Sequence, residues 1–502
     1  MDLSLLVLLP LVTAIAILFG KGLKQVRVIA LTGAILQLVL VIALFMLYRG
    51  EQAVENNAGM MFQSQYDWFK SLYITLHVGV DGISVAMLLL TAFVVLAGIL
   101  VSWEVSFRSK EFFFLLTFLA LGAYGFFISL DLFLMFFFLE VSVIPKFLLI
   151  GIWGSGKKEY SAYKLALMLM AGSALVMVGL FGVYIEASSG EIPQLGFDIP
   201  FIAQRGLSIQ TQMYFFPFLF VGFGIFTALF PFHTWVPDGH SSAPTAASMF
   251  LAGISMKLGG YGCLRVATYL MPEAAREYSW MIVVLATIAI IYGAFATLMQ
   301  KDLKYINAYS SVSHCGFVLL GIGMLTQTAI TGAVIQMVSH GLMTALFFAA
   351  IGMIYERSHT RMVQQLGGLM KVMPFICSVF VIAGLCSLGL PGFSGFVAEI
   401  TVFMGSWQRI DTLYRIATIL ACSSLVVTTV YVLRAVGQSV MGPMPNAQFA
   451  ELKDARWNEK SAAVILIAGI VAIGVAPFWL YDLLAPGTEN IMKKILMAAG
   501  IN

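Results

Sequence analysis

The chain has 502 residues, of which 60% are hydrophobic and only 11% charged, and its formal net charge is +3. Soluble domains carry about 25% charged residues, so this composition excludes a water-soluble core and predicts a protein that crosses a membrane many times. The net charge by itself says nothing about nucleic acid, and no basic run suggests it as a partner.

Windows of about 20 apolar residues place spans near 3–20, 28–47, 82–103, 111–129, 131–153, 162–186 and 213–232. Further spans follow near 243–270, 279–299, 303–325, 328–355, 373–407, 412–440 and 461–483. The predicted fold class is therefore all-α and polytopic, with about fourteen transmembrane helices. The first span follows an acidic residue and has no cleavage site after it, so it reads as a retained helix rather than a signal peptide. Long polar loops are expected at 48–80, 187–212 and 441–460, none large enough for a separate domain.

Lys and Arg are unevenly shared between the two sets of loops. One set carries Lys21, Lys24, Arg27, Arg108, Lys110, Lys157, Lys158, Lys301, Lys304, Arg357, Arg361, Lys371, Lys453, Arg456 and Lys460. The other carries Arg49, Lys70, Arg205, Arg276 and Arg409, and the C-terminal tail adds Lys493 and Lys494. Positive loops stay on the cytoplasmic side, which predicts that both termini lie outside.

Two spans carry an internal proline: the seventh at Pro231 and the twelfth at Pro391, followed by Gly392. Proline removes a backbone donor and clashes with the preceding turn, and in lipid the freed carbonyls need protein or water. Broken helices in matching positions point to inverted repeats around a midplane site. The expected division is 1–110 for three N-terminal helices, 111–270 and 271–440 for two five-helix repeats, and 441–502 for a loop and a last helix.

Single ionisable residues sit deep in several spans: Glu140, Lys257, Glu399, His314 and His340. A charge at that depth costs at least about 2.5–3.5 kcal/mol on insertion scales, and an ion or proton path is the usual compensation. A carboxylate or lysine out of water can exchange its proton near neutral pH, and histidines can bridge hydrogen-bonded chains. The alternative for each is a structural group neutralised by a neighbouring helix. His233 and His240, with Asp238, are candidates for proton uptake from the cytoplasmic side or for a solvated loop; His77 and His359 read as surface residues. Lys164 opens the sixth span, deep enough to pair with Glu140. Lys146 follows Glu140 by six residues, about 9 Å of rise and well round a straight helix; a kink at Pro145 changes that relation. The five cysteines lie in apolar segments without ligand spacing and read as core. No phosphate-binding loop, dinucleotide fingerprint, cluster-ligating cysteine set or nucleophile elbow is present, so no cofactor is expected in this chain.

The runs FPFHTWVPDGHSSAPTAASMFLAGISMKLGGYGCLR, KDLKYINAYSSVSHCGFVLLGIG, GAVIQMVSHGLMTALFFAAIGMIYERSHTR and SLGLPGFSGFVAEI resemble the proton-pumping, antiporter-like membrane subunits of respiratory complex I, an NADH:quinone oxidoreductase. The resemblance covers roughly residues 75–440. Within the family it is greatest to the chain M group (the mitochondrial subunit 4 type): the twelfth helix carries Glu399, where chains L and N and the multi-subunit cation/proton antiporters carry lysine, and no long lateral helix follows.

The resemblance implies proton translocation driven by electron transfer in partner subunits, which would hold NADH, FMN, iron–sulfur clusters and quinone. It implies chains L and N as neighbours and a bacterial inner membrane as the location. It assigns Glu140, Lys164, Lys257, His314, His340 and Glu399 to the proton path. One departure stands out: the family's seventh-helix lysine falls on Phe226, while Lys146 stands where the family is uncharged. The expectation is that the cation has moved, with Lys146 or Lys164 pairing Glu140. The alternatives are an antiporter subunit without a redox partner, and a scaffold holding neighbouring pumps.

Overall fold

The computed structural model describes residues 1–55, 59–69, 74–189 and 196–500; Lys70, counted above among the loop cations, lies outside them. The chain opens with α1 (Leu5–Phe19) and α2 (Leu23–Glu55), then an antiparallel hairpin of β1 (Met61–Phe69) and β2 (Ile74–Val80). Next come α3 (Gly82–Val101), α4 (Ser109–Ile128), α5 (Leu132–Val141), α6 (Val143–Trp153), α7 (Lys158–Ala187), α8 (Ile199–Arg205) and α9 (Ile209–Thr227). Beyond the first break lie α10 (Trp235–Ser242), α11 (Thr245–Phe250), α12 (Met256–Gly262) and α13 (Pro272–Glu277), with π-helical turns at Leu251–Ser255 and Cys263–Thr268. The second half holds α14 (Ser279–Met299), α15 (Leu303–Gly323), α16 (Gln327–Ser358), α17 (Pro374–Ser387), α18 (Ser394–Trp407), α19 (Thr412–Ser439), α20 (Trp457–Val475) and α21 (Phe478–Ala498).

Among the described residues, ten helices are long and apolar enough to cross a membrane by themselves. The shorter α1, α15, the α17–α18 pair and the proline-broken α10–α13 segment are further candidate passes. Loop contacts define two faces. On one, Ser155 N donates to Ser242 O at 2.8 Å, Leu303 N to Arg361 O at 3.0 Å, and Arg357 Nε to Lys453 O at 2.7 Å; this face gathers most of the loop cations. The other bears the hairpin, α8, α13 and both ends of the chain.

Side chains terminate these helices where the sequence supplies them. Asp81, Asp302 and Thr326 accept from the first free N–H groups of α3, α15 and α16, the orphan donors of any helix start. At 32 residues α16 is about 48 Å long, and it is buried through its apolar length among α3, α15, α17, α18 and α20. It is the axis of the second half.

Three expectations need correction. The last span ends at Val475 rather than 483, because Pro477 has no N–H and holds Ala476 out of the helical region (φ −130°, ψ 67°). Helix α21 then lies across the hairpin face, where Arg276 donates to Ala498 O at 2.8 Å and Gln52 to Asp482 O at 3.0 Å. His77 is not a surface residue: at 7% exposure it pairs with Asp198, and its carbonyl accepts from Leu130 N at 2.8 Å. Lys304, counted with the loop cations, is 3% exposed and donates to Ala243 O at 2.7 Å. His359 is exposed, as expected.

Candidate functional site

Both predicted breaks occur. Helix α9 stops at Thr227, Ala228 turns to φ 71°, and α10 resumes only after Pro231. Helix α17 stops at Ser387, and Gly389 (φ 66°) and Gly392 (φ 96°) carry the chain past Pro391 into α18. Left-handed backbone costs an L-residue roughly 1–2 kcal/mol and glycine nothing. Gly389 also makes room: a Cβ there would stand 2.5 Å from Glu399 Oε2. The second break thus wraps directly round the buried carboxylate.

Between the breaks lies a row of buried polar side chains. Lys257, 1% exposed, sits on α12 between the two π-helical turns. A π turn shifts hydrogen bonds from i−4 to i−5, and the Lys257 ammonium donates to the carbonyl of Ala252 at 2.5 Å. It also donates to His340 Nδ1 at 2.6 Å, across to α16. The His340 ring lies 5.4 Å, centroid to centroid, from that of His314 on α15, and Cys315 Sγ is 3.9 Å from His340 Nδ1. His314 Nδ1 stands 3.4 Å from Glu399 Oε1 and its Nε2 3.1 Å from Ser387 Oγ. Gln336 Nε2 approaches the same Nδ1 at 3.4 Å. Four of the predicted residues are therefore one assembly, built from four helices, α12, α15, α16 and α18, the last opening just past a break.

The first half is looser. Pro145 cannot donate to Val141, and the helix parts at Ser142 between α5 and α6, whose Oγ donates to Leu139 O at 2.6 Å. This is the kink that the sequence left open. It turns Lys146 fully inward (0% exposed), with its ammonium on Ser142 Oγ at 3.0 Å and 5.9 Å from the centre of the Phe226 ring. The cation therefore lies against Phe226, the position where the resemblance led to the expectation of a lysine. Glu140, half-buried, accepts from Ser173 on α7. Among the described residues no ion pair within 4.0 Å joins Glu140 and Lys146. Of the two cations expected to pair Glu140, Lys164 does not: its ammonium binds Asp238 Oδ2 at 2.6 Å. Lys164 lies nine residues from Ser173 on α7, about 13 Å along the axis, too far to serve both.

The three residues grouped for cytoplasmic uptake separate. Asp238, also bonded by Tyr305 Oη at 3.1 Å, lines a cleft of about 620 Å³ on the cation-rich face with Lys157, Tyr160, Ser242 and Arg361. His233 is buried between the rings of Phe230 and Tyr292. His240 is deeper still, between Trp235 and Phe348, and among the described residues neither of its ring nitrogens has a hydrogen-bond partner. One pair escaped the sequence reading: Arg265, on the second π turn, is bound to Asp81 at the start of α3, with both side chains almost wholly buried. An arginine inside the Lys257 span was its visible signal. Among the described residues no group of three His, Cys, Asp or Glu side chains could hold a metal ion.

The chain belongs to the NADH:quinone oxidoreductase/Mrp antiporter transmembrane family, whose model matches residues 129–429. It is 34% identical over 496 residues to NAD(P)H-quinone oxidoreductase chain 4 2 of Picosynechococcus sp., covering 97% of this chain and 93% of that one. It is likewise 34% identical to NADH-quinone oxidoreductase subunit M of Rickettsia prowazekii, with 98% of each chain covered. In structure it is similar to a chain of respiratory complex I from Thermus thermophilus, with TM-score 0.88, 25% identity and coverage of 98% and 99%. A chain of the Mrp complex from Dietzia sp. shares the fold at TM-score 0.84 and 18% identity.

Proposed function

We propose that this chain is a proton-translocating membrane subunit of an NADH:quinone oxidoreductase, of the subunit M kind, moving protons through its buried Lys–His–Glu chain. The observation that carries the reading is the buried row in which Lys257 bonds to His340, the His340 and His314 rings lie 5.4 Å apart, and His314 stands 3.4 Å from Glu399. Two unit charges 5.4 Å apart repel by about 3 kcal/mol at an effective dielectric of ~20, so a proton arriving on one ring strongly disfavours one on the next. Charge shifts can pass along such a chain without any large movement. Glu140 and Lys146 form the other end of the path, with Phe226 beside Lys146. Lys164 and Asp238 mark uptake at the cleft, and His233 and His240 lie behind it. Two inverted repeats, 111–270 and 271–440, place the breaks at Pro231 and Pro391 in equivalent positions, since five crossings reverse the orientation of the second unit.

In this reading electrons, NADH, FMN, iron–sulfur clusters and quinone stay in partner subunits, and chains of the L and N kind flank this one. The cation-rich face is cytoplasmic, both termini lie outside, and the membrane is a bacterial inner membrane. The test is the intact complex in proteoliposomes, with proton uptake and NADH oxidation measured together. Lys257→Met and Glu399→Gln should lower protons moved per NADH while the complex still assembles; assembled variants that pump normally would make this subunit a scaffold. The shared fold with an Mrp complex favours a second reading, a cation/proton antiporter subunit. Purification without any redox subunit, together with sodium-dependent proton exchange, would establish that instead.

A further inference from the structure

An apolar slot of about 590 Å³ opens on the flank of the bundle between α2, α3, α16 and α20, with the first turn of α21 over it. Its walls are apolar throughout, among them Phe45, Phe93, Leu342, Ile465 and Trp479. Along α20 it reaches from Ile473 to Ile465, about 12 Å at 1.5 Å per residue. That depth is close to the ~15 Å of a single hydrocarbon leaflet. Walls this uniformly apolar, open along one flank, suit flexible hydrocarbon chains.

The slot's surroundings match one kind of occupant. Its rim faces outward, for Met46 lines it and is 65% exposed. Trp479 packs edge-on to Phe45 at the hairpin-face end, the level at which indole rings mark a membrane interface. One turn beyond Phe45 on α2, the Arg49 guanidinium stands 3.9 Å from Asp482, with both side chains partly open. That is the outer limit of an ion pair, and arginine's fork fits phosphate oxygens. We propose that the slot holds the acyl chains of one phospholipid from the leaflet on the hairpin face, its phosphate on Arg49. Val338 and Leu342 in the wall flank His340 on α16, so the lipid backs the helix that positions the central histidine. This inference does not depend on the proton-transfer reading.

The probe is a phosphatidylglycerol with a photoreactive diazirine midway along one acyl chain, incorporated with the intact purified complex into phosphatidylethanolamine nanodiscs. Irradiation should label the segments bearing Leu342 and Ile465–Ile473 above the level of Leu167, which is an ordinary lipid-facing residue at 65% exposure. Ala86→Phe and Gly469→Phe, each filling the slot from a different wall, should abolish the slot label and leave that on Leu167 unchanged. Arg49→Gln should lower labelling by the phospholipid but not by a diazirine fatty alcohol, which has no phosphate. Slot labelling no higher than at Leu167, or labelling untouched by either filling variant, would overturn the proposal. So would cross-links from the slot to a neighbouring subunit, which would show that protein covers it.

Discussion

Replacing Phe226 by lysine supplies the cation that the resemblance leads one to expect there and puts it against a cation already in place. The Lys146 ammonium is 5.9 Å from the centre of the Phe226 ring, which is about where a lysine ammonium from position 226 would come. Two like charges at that separation repel by about 3 kcal/mol at an effective dielectric of ~20, roughly a hundredfold against the doubly charged state. Phe226→Lys alone should therefore weaken proton translocation in the assembled complex, because the two lysines cannot both hold protons beside Glu140. Adding Lys146→Met should restore much of it, since the cation then returns to a single position. The measurement is protons translocated per NADH in proteoliposomes for wild type, both single variants and the double. The coupling of the double-mutant cycle isolates the pair. If Phe226→Lys pumps like wild type, or if the double variant is no better than the single, Lys146 has not taken over that lysine's place.

Three other outcomes follow from the geometry. Gly389→Ala adds about 1–2 kcal/mol of backbone strain and places a methyl group 2.5 Å from Glu399 Oε2; the carboxylate must swing away from His314, so pumping should fall while subunit assembly, checked by native electrophoresis, persists. Arg265→Met strands the Asp81 carboxylate in a buried site, at about 3–5 kcal/mol; thermal unfolding in detergent should drop sharply, and Asp81→Asn in the same chain should recover most of the loss. Asp131, in the loop ahead of α5, has its carboxyl pushed up to about 6, first by burial and in smaller part by the nearby Asp198. Because the folded value lies above the ordinary 3.8, the folded state holds the proton more tightly, and stability should fall as pH rises from about 4 to 6. Asp131→Asn keeps the cap on α5 and should flatten that slope, as read from melting temperatures between pH 4.5 and 8; a slope unchanged by the substitution would refute it.

Much of the molecule was legible because membranes leave few choices. Backbone polar groups must be satisfied inside each span, so runs of apolar residues gave the helices, and Pro231 and Pro391 gave the two breaks to within a few residues. Lone charges are costly in hydrocarbon, so Lys257, His314, His340 and Glu399 stood out before any contact was known. The misreadings share one cause. Lys304, His77 and Lys164 sit near span ends, where sequence cannot tell a snorkelling side chain from one folded inward. Each turned out to face a partner from a distant segment: Ala243, Asp198 and Asp238. The hairpin-face helix α21 was missed for a related reason, since its apolar start merged with the preceding span until Pro477 separated them.

The amino-acid sequence by itself marked the apolar spans, the two interruptions and the ionisable groups deepest within the spans, because hydropathy, proline geometry and charge cost all act locally along the chain. Only the tertiary structure decided which of those groups meet. The 2.6 Å contact of Lys257 with His340, the seat of Glu399 under Gly389, and Lys146 lying on Phe226 depend on helix rotation and on a kink at Ser142. The kink follows from Pro145, but helix rotation is set by packing between segments far apart in the chain, and no local pattern records it.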